Sequence, residues 1–444
     1  MSLPLQPFAG IHANPQHLDL GDFVCPPYDV LTPVEREALY GRGMRNIVRI
    51  EAGLDYPGDQ PGIRDRYLRA KDHLESWMAL GILLPDPEPC FYVVRHTFPV
   101  PEAGKAGLQQ SSPPGTSTSK AAAGKTEGTA ARVGLLCCIP ALQWGKSPIL
   151  PHERTLREPI EDRTRLFGTA RIQPSPLLIL ASTATLGSRL SGAMEGEPFL
   201  SGTFPGEAGE EELCVWRHPA SSPTGKAFST LSGSLYMADG HHRYETLAAY
   251  GQNTGRPVAA LCLVVPADDP GLYILPTHRM VAPGSRPATP ELLQELLAEL
   301  FTVKMVPSRA ALLSAVEDGS GCTLGIILPG SLCTATLCKT NTPAGAAGPT
   351  PDLPAATIAD DLLLARWLRS EKRETGDTTW SISYTRSVDE AKAAVGSGTS
   401  SMAVIVPATR LEQMLGACDR GEIMPQKSTY FYPKVPAGIV MATL

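Results

Sequence analysis

The sequence predicts an α+β protein of several lobes built on mixed sheets. Three observations carry that expectation. Apolar runs short enough for strands alternate with segments of helical periodicity, and the order strand, turn, helix, strand recurs around residues 234–266. The 444 residues exceed the size at which one hydrophobic core stops growing, so two or three domains are expected. The 42 prolines and 41 glycines call for many turns inside a chain that still has enough apolar residues to fold.

In the N-terminal α/β region, residues 1–100, Tyr67, Leu68, Leu74, Trp77 and Met78 recur at helical spacing, and Gly81 stands just past them as a stop. "PCFYVVRHTFPV" and "ARVGLLCCIPALQW" read as partner strands. Between them, residues 101–131 are poor in large apolar side chains and are expected to form a flexible insertion, because they bury too little surface to offset their ordering entropy. A central motif-bearing domain, 132–282, follows. It holds a charged helix after "SPILPHERT", the strand "PLLILAS", a loop-rich stretch at 186–230, the strand "GSLYMA", a helix ending near Gly251, and two strands within "PVAALCLVVPADDPGLYILPTHRMV". The C-terminal α/β domain, 283–444, carries the helices "TPELLQELLAELF", "IADDLLLARWL" and "TRLEQMLGAC" and the strands "CTLGIILPG" and "SMAVIVPA". It also has a flexible insert near "NTPAGAAGPTPDLP", and it closes on "MPQKSTYFYPK".

A net charge of -6 lacks the basic excess that drives non-specific duplex binding, so nucleic acid is not an expected partner. The ten cysteines form no Cys-x-x-Cys repeat and lie mostly in apolar runs, which reads as reduced, buried thiols of a cytoplasmic protein. No stretch of about 18 apolar residues runs uninterrupted, and "MSLPLQPFAG" lacks the pattern of an export signal, so neither membrane insertion nor export is expected.

The residues with most chemistry are in "ADGHHRYET". With Asp239 as N-cap, Gly240, His241, His242 and Arg243 fill the first turn of a helix whose Tyr244, Leu247 and Ala248 face a sheet. The free N–H groups and positive end of such a helix suit an anion; Gly240 permits close backbone approach and Arg243 can grip a phosphate with two parallel hydrogen bonds. The plainer alternative is a cap with a solvated polar turn. Adjacent histidines point about 100° apart on a helix and do not chelate one ion, whereas a magnesium ion held by Asp239 and a nucleotide's phosphates is compatible with the sequence.

Two further groups complete the candidates. In "LPHERT" and the following "EDR", Glu153 beside His152 is a candidate general base, and Glu153, Arg154, Asp162 and Arg163 could equally form a surface ion-pair network. In "GEIMPQKSTYFYPK", Gly421, Lys427 and Ser428 echo a phosphate-binding loop, but Gln426 stands where its second glycine would be, so it is not one. Lys427, Ser428, Thr429 and Lys434 still supply donors beside three aromatic rings. Tyr28 and Asp29 in "CPPYDVL", and His278 with Arg279 in "LPTHRMV", read first as turn and strand-edge residues.

Taken together and in order along the chain, "CPPYDVL", "LPHERT" with "EDR", "ADGHHRYET", "GLYILPTHRMV" and "MPQKSTYFYPK" resemble the motif set of the family called domain of unknown function 1015. The Asp-Gly-His-His-Arg segment is similar to that of free serine kinases of the ParB and sulfiredoxin-like superfamily. That resemblance implies a ParB/sulfiredoxin-like core in the central domain, with Asp239, Gly240, His241, His242 and Arg243 lining a nucleotide phosphate and a small hydroxyl substrate.

The expectation is therefore a nucleotide-dependent phosphotransferase acting on a small hydroxylated metabolite, with free serine first among acceptors. Asp239, His241, His242 and Glu153 would be catalytic. Gly240, Arg243, Lys427, Ser428 and Thr429 would bind ATP or ADP, with CTP also admissible, and Asp239 would hold Mg2+. A ParB-like nucleotide-gated regulator or DNA-binding protein, and a phosphatase using the same anion grip, are the alternatives.

Overall fold

The computed structural model describes residues 2–101, 128–153, 158–284, 287–318, 322–338, 353–375 and 381–444. Most of the expected insertion at 101–131, Arg154, and residues 341–352 of the second expected insert lie outside these residues.

Two large sheets organise the chain. The first has eight strands: β1 (Cys90–Pro99), β2 (Thr129–Pro140), β3 (Ile149–Leu150), β4 (Leu177–Ser182), β5 (Leu200–Pro205), β6 (Glu210–Pro219), β7 (Ser234–Asp239) and β8 (Ala259–Pro266), in the order β3-β7-β4-β8-β2-β1-β6-β5. The pairs β7/β3 and β8/β4 are parallel and the rest antiparallel, so the sheet is mixed as expected. Strands β1 and β2 are neighbours, Tyr92 facing Leu136, so this sheet draws on both sides of the 101–131 segment.

Both faces of this sheet are buried, which explains its long unbroken apolar runs. Successive residues alternate between two cores: Phe91, Val93, Leu135, Cys137 and Ile179 pack on one side with Tyr244, Leu247 and Ala248 of the helix His241–Thr254. Tyr92, Val94, Leu136, Cys138 and Leu180 pack on the other with Met414, Phe431, Val435 and Val440 from the end of the chain. The C-terminal segment thus lies across the large sheet. Eight of the ten cysteines are buried, and all ten are free thiols.

The second sheet is antiparallel throughout and has six strands: β9 (His278–Val281), β10 (Phe301–Met305), β11 (Thr323–Leu328), β12 (Ser331–Leu337), β13 (Ile382–Thr385) and β14 (Met402–Ile405), in the order β10-β12-β11-β14-β9-β13. Its core gathers Leu293, Leu297, Leu324, Ile326, Ile358, Leu363 and Trp367.

The stretch 186–230, expected to be loop-rich, is instead a helix (Leu186–Gly192), the hairpin β5/β6 and a helix (Pro223–Phe228). The acidic lead of β6 concealed the strand: Glu211 is buried in it because its carboxylate meets the imidazole of His96 on β1 at 2.6 Å. The helix expected to end near Gly251 runs to Thr254, where Gly255 takes the left-handed conformation at φ 64°. Among the described residues no helix is long and apolar enough to cross a membrane.

Candidate functional site

The site lies where β7 ends. Asp239 is the last residue of that strand and Gly240 is the N-cap of the helix His241–Thr254, at φ 97° and ψ 25°. The expected cap at Asp239 is therefore displaced by one residue. Only glycine fits the turn comfortably: φ is left-handed, and a Cβ there would stand 2.6 Å from Cδ2 of Leu177. Because glycine has no side chain, the N-cap position itself supplies no side-chain hydrogen bond to the helix.

Asp239 is engaged on both oxygens. Oδ2 accepts from Nη2 of Arg243 at 3.0 Å, and Oδ1 accepts from Nζ of Lys434. Burial opposes its charge, but Lys434 and Arg243 outweigh burial and hold the carboxyl below its ordinary range. These contacts correct two expectations. Arg243 is 3% exposed and spends Nη1 on the carbonyl of Pro176 at 2.8 Å, so it braces the turn against the loop before β4 instead of presenting a free two-pronged grip. Asp239, already facing two cations, does not fit a magnesium site, and no cluster of three or more metal-ligating side chains occurs among the described residues.

The histidines divide. His152, fully buried, faces the carbonyl of Met237 through Nδ1 at 2.8 Å and the hydroxyl of Thr429 through Nε2 at 2.8 Å. A carbonyl only accepts, so Nδ1 carries the proton and Nε2 accepts from Thr429. Burial pushes His152 down to about 4 against the help of the Met237 carbonyl, which keeps the ring neutral near pH 7. His241 packs edge-on against it, ring centres 4.7 Å apart, and burial also drives its pKa down. The Nε2 of His241 is buried without a hydrogen-bond partner, an arrangement that costs about 1–3 kcal/mol and that a ligand would relieve. The part-buried His242 is lowered by burial and by Lys427.

The C-terminal segment closes the site. The N–H of Met424 donates to the carbonyl of His152 at 2.8 Å, and Glu153 forms a parallel bridge with Met424. This brings Lys427 to Glu153: burial raises the glutamate's pKa while the Lys427 ammonium and its backbone N–H oppose the rise. Lys427 is held at φ 55°, whereas Gly421, at φ 69°, follows the helix Leu411–Asp419 and takes no part in a phosphate loop. Ser428 is buried, donates to the carbonyl of Pro425 and does not line the cavity.

One cavity of about 70 Å3 is lined by Tyr28, Asp29, Glu153, the whole turn Asp239–Arg243, Lys427, Thr429, Tyr430 and Lys434. Residues up to 406 positions apart in the chain, Tyr28 and Lys434, thus meet around one helix end. Tyr28 and Asp29, read from sequence as turn residues, are part of the wall; their fixed double-proline loop was the available signal. His278 and Arg279 do not line this cavity, although Nη2 of Arg279 donates to the carbonyl of Gln426, next to Lys427, at 3.5 Å. Nδ1 of His278 accepts from the N–H of Val406 at 3.3 Å, and Arg279, 0% exposed, pairs with Asp360 at 2.8 and 3.0 Å.

The protein of unknown function (DUF1015) family matches residues 5–112 and 105–350, and the chain belongs to that family. No curated protein matches it. Solved structures similar to it include a conserved hypothetical protein from Pyrococcus furiosus, at 16% identity over 69% of this chain and 94% of that one, with a TM-score of 0.35. Another is a free serine kinase in complex with AMP, at 13% identity over 68% and 91% of the two chains, TM-score 0.37. A third is SbnI with a C-terminal truncation from Staphylococcus aureus, at 12% identity over 69% and 81%, TM-score 0.33.

Proposed function

We propose that the protein is a nucleotide-dependent phosphotransferase that moves a phosphoryl group to a small hydroxylated metabolite. The observation that carries this reading is the helix end itself: an N-cap glycine that offers no side-chain cap, His241 with its Nε2 buried without a partner, and two lysines, all of them residues lining one cavity. Such a helix end attracts a phosphate through its N–H groups and its dipole. Gly240 lets the phosphate approach the backbone, Lys427 supplies a positive charge from the exposed side, and Nε2 of His241 meets a phosphate oxygen or hydroxyl. Asp239 acts indirectly, holding Lys434 and Arg243 in place.

Phosphoryl transfer asks chiefly for positioning and charge neutralisation. In the proposed step the acceptor hydroxyl gives its proton to Glu153 as its oxygen bonds to the terminal phosphorus, and the bond from that phosphorus to the nucleotide's bridging oxygen breaks, leaving the shortened nucleotide with the electron pair. Burial, by raising the pKa of Glu153, makes it a better proton acceptor than an exposed carboxylate. Free serine is the first acceptor to test, on the resemblance of the Asp239–Arg243 segment to that of free serine kinases. Magnesium, if needed, would arrive on the nucleotide's phosphates, since Asp239 is already paired.

The test is thermal unfolding with ATP, ADP, CTP or inorganic phosphate, followed by transfer of labelled phosphate from ATP to L-serine. A nucleotide at about 100 times its Kd should stabilise the fold by roughly 2.7 kcal/mol. Absence of any stabilisation by all three nucleotides would refute the proposal.

A further inference from the structure

A second cavity, of about 230 Å3, adjoins the first, and Tyr28 lines both. Its other walls include Arg36, Glu51, Arg66, Asp162 and Arg163. Most of these charges are matched to one another. Asp162 accepts from Nη2 of Arg66 at 2.6 Å, from the hydroxyl of Tyr67 at 2.8 Å and from Nε of Arg163 at 2.7 Å. The guanidinium of Arg163, in turn, lies 3.8 Å over the ring of Tyr28 and fixes the wall between the cavities.

Two groups remain incomplete. Glu51 is 0% exposed; its Oε1 accepts from the N–H of Tyr28 and the hydroxyl of Ser175, both at 3.0 Å, but its Oε2 is buried with no hydrogen-bond partner, the nearest cation being Nη1 of Arg163 at 3.6 Å. On the opposite count, Nε of Arg36 is a buried donor without a partner. A buried carboxylate oxygen left open is costly unless something donates to it. One lining group asks for a donor and the other for an acceptor, and the cavity has aromatic and apolar walls, Tyr67, Leu31, Ile50 and Leu166, besides.

We propose that this cavity is the acceptor pocket and that it selects a small zwitterion bearing a hydroxyl, an α-amino acid, whose ammonium donates to Oε2 of Glu51 and whose carboxylate accepts from Arg36. The inference rests on the phosphotransferase reading and sharpens it: the hydroxyl would reach past Tyr28 to the phosphate at the helix end. A molecule lacking either charge leaves one buried group unmatched, which is how the pocket discriminates.

Calorimetric titration of the full-length protein, with and without saturating ADP, tests this. The probes are L-serine, L-homoserine and L-threonine, with ethanolamine lacking the carboxylate and L-glycerate lacking the ammonium. At least one amino acid should bind, and the two single-charge compounds should bind roughly tenfold or more weaker, the loss expected for one charge-assisted hydrogen bond. Arg36→Met, at a half-buried position, should weaken the amino acid by a similar factor and leave ADP affinity unchanged; Glu51→Gln should weaken the amino acid and spare L-glycerate. Intact ADP binding with no amino acid binding overturns this inference and leaves the phosphotransferase reading standing, whereas a wild-type protein that binds none of ATP, ADP and CTP sinks the latter. Weakened ADP binding in Arg36→Met with unchanged amino acid binding would assign the cavity to the nucleotide and also overturn the inference.

Discussion

Each large sheet carries a buried arginine–aspartate pair, and the two pairs behave differently. In the second sheet Arg279 meets Asp360 with two hydrogen bonds, its Nη1 is taken by the carbonyl of Thr277, and neither residue lines either of the two cavities described above. In the first sheet Arg243 meets Asp239 with one, and the rest of the carboxylate is taken by Lys434 from the far end of the chain. Around that second pair lie a glycine turn, a helix whose N-cap offers no side chain, and a histidine nitrogen without a partner. Both pairs satisfy buried charge, but only one is set among polar groups left open toward a cavity. A buried ion pair alone therefore marks architecture; unmatched donors and acceptors beside it mark a site.

The largest effect that would break this contrast comes from removing each aspartate. Asp360→Ala strands Arg279, and Asp239→Ala strands both Arg243 and Lys434, so each should cost about 3–5 kcal/mol in denaturant unfolding, with Asp239→Ala at the upper end. The two should separate in ligand response: saturating nucleotide should still stabilise Asp360→Ala and should fail to stabilise Asp239→Ala. Equal nucleotide response in both variants would erase the distinction.

How legible these regions were in sequence follows from the same contrast. The large sheet was readable because its strands are buried on both faces and appear as continuous apolar runs, "VGLLCCIP" and "AALCLVVP" among them. Strand β6 was not, since its acidic start is compensated by His96, 115 residues away. The glycine turn was visible because local chemistry writes it locally. What was hidden is long-range: that Lys434 neutralises Asp239, that Arg243 is turned inward to Pro176, and that Glu51 stands open in its own cavity. No spacing rule links residues 195 positions apart, such as Asp239 and Lys434.

A smaller effect distinguishes two buried histidines. His278→Phe removes the acceptor for the N–H of Val406 and should destabilise by about 1–3 kcal/mol with nucleotide response unchanged. His241→Phe removes a nitrogen that has no partner, so it should cost no stability, and can gain up to the roughly 1–3 kcal/mol that the orphan costs, while nucleotide affinity falls roughly tenfold. Thermal unfolding with and without ADP reads both quantities. A large stability loss in His241→Phe with affinity preserved would turn that histidine into a packing residue.

The smallest effect is a pH signature within the site, where two carboxylates are pushed in opposite directions. Burial raises the pKa of Glu153, with Lys427 opposing; for Asp239 the cations win over burial and the pKa falls. A folded-state value above the unfolded one means that the native protein binds more protons across the intervening window. Glu153 therefore penalises the fold at neutral pH, and the penalty is relieved as pH falls through its folded value toward the ordinary 4.5. Asp239 has the opposite sign: its contribution is present above its unfolded value, ordinarily 3.8, and is lost only on acidification below that. Glu153→Gln should accordingly be more stable than wild type at pH 7, with a difference that shrinks toward pH 4.5, whereas Asp239→Asn should be less stable than wild type, with its deficit narrowing only at more acid pH. Denaturant midpoints measured across that range separate the two, and parallel pH profiles for both variants would mean that Lys427 and Lys434 do not divide their charge between these carboxylates as the geometry indicates.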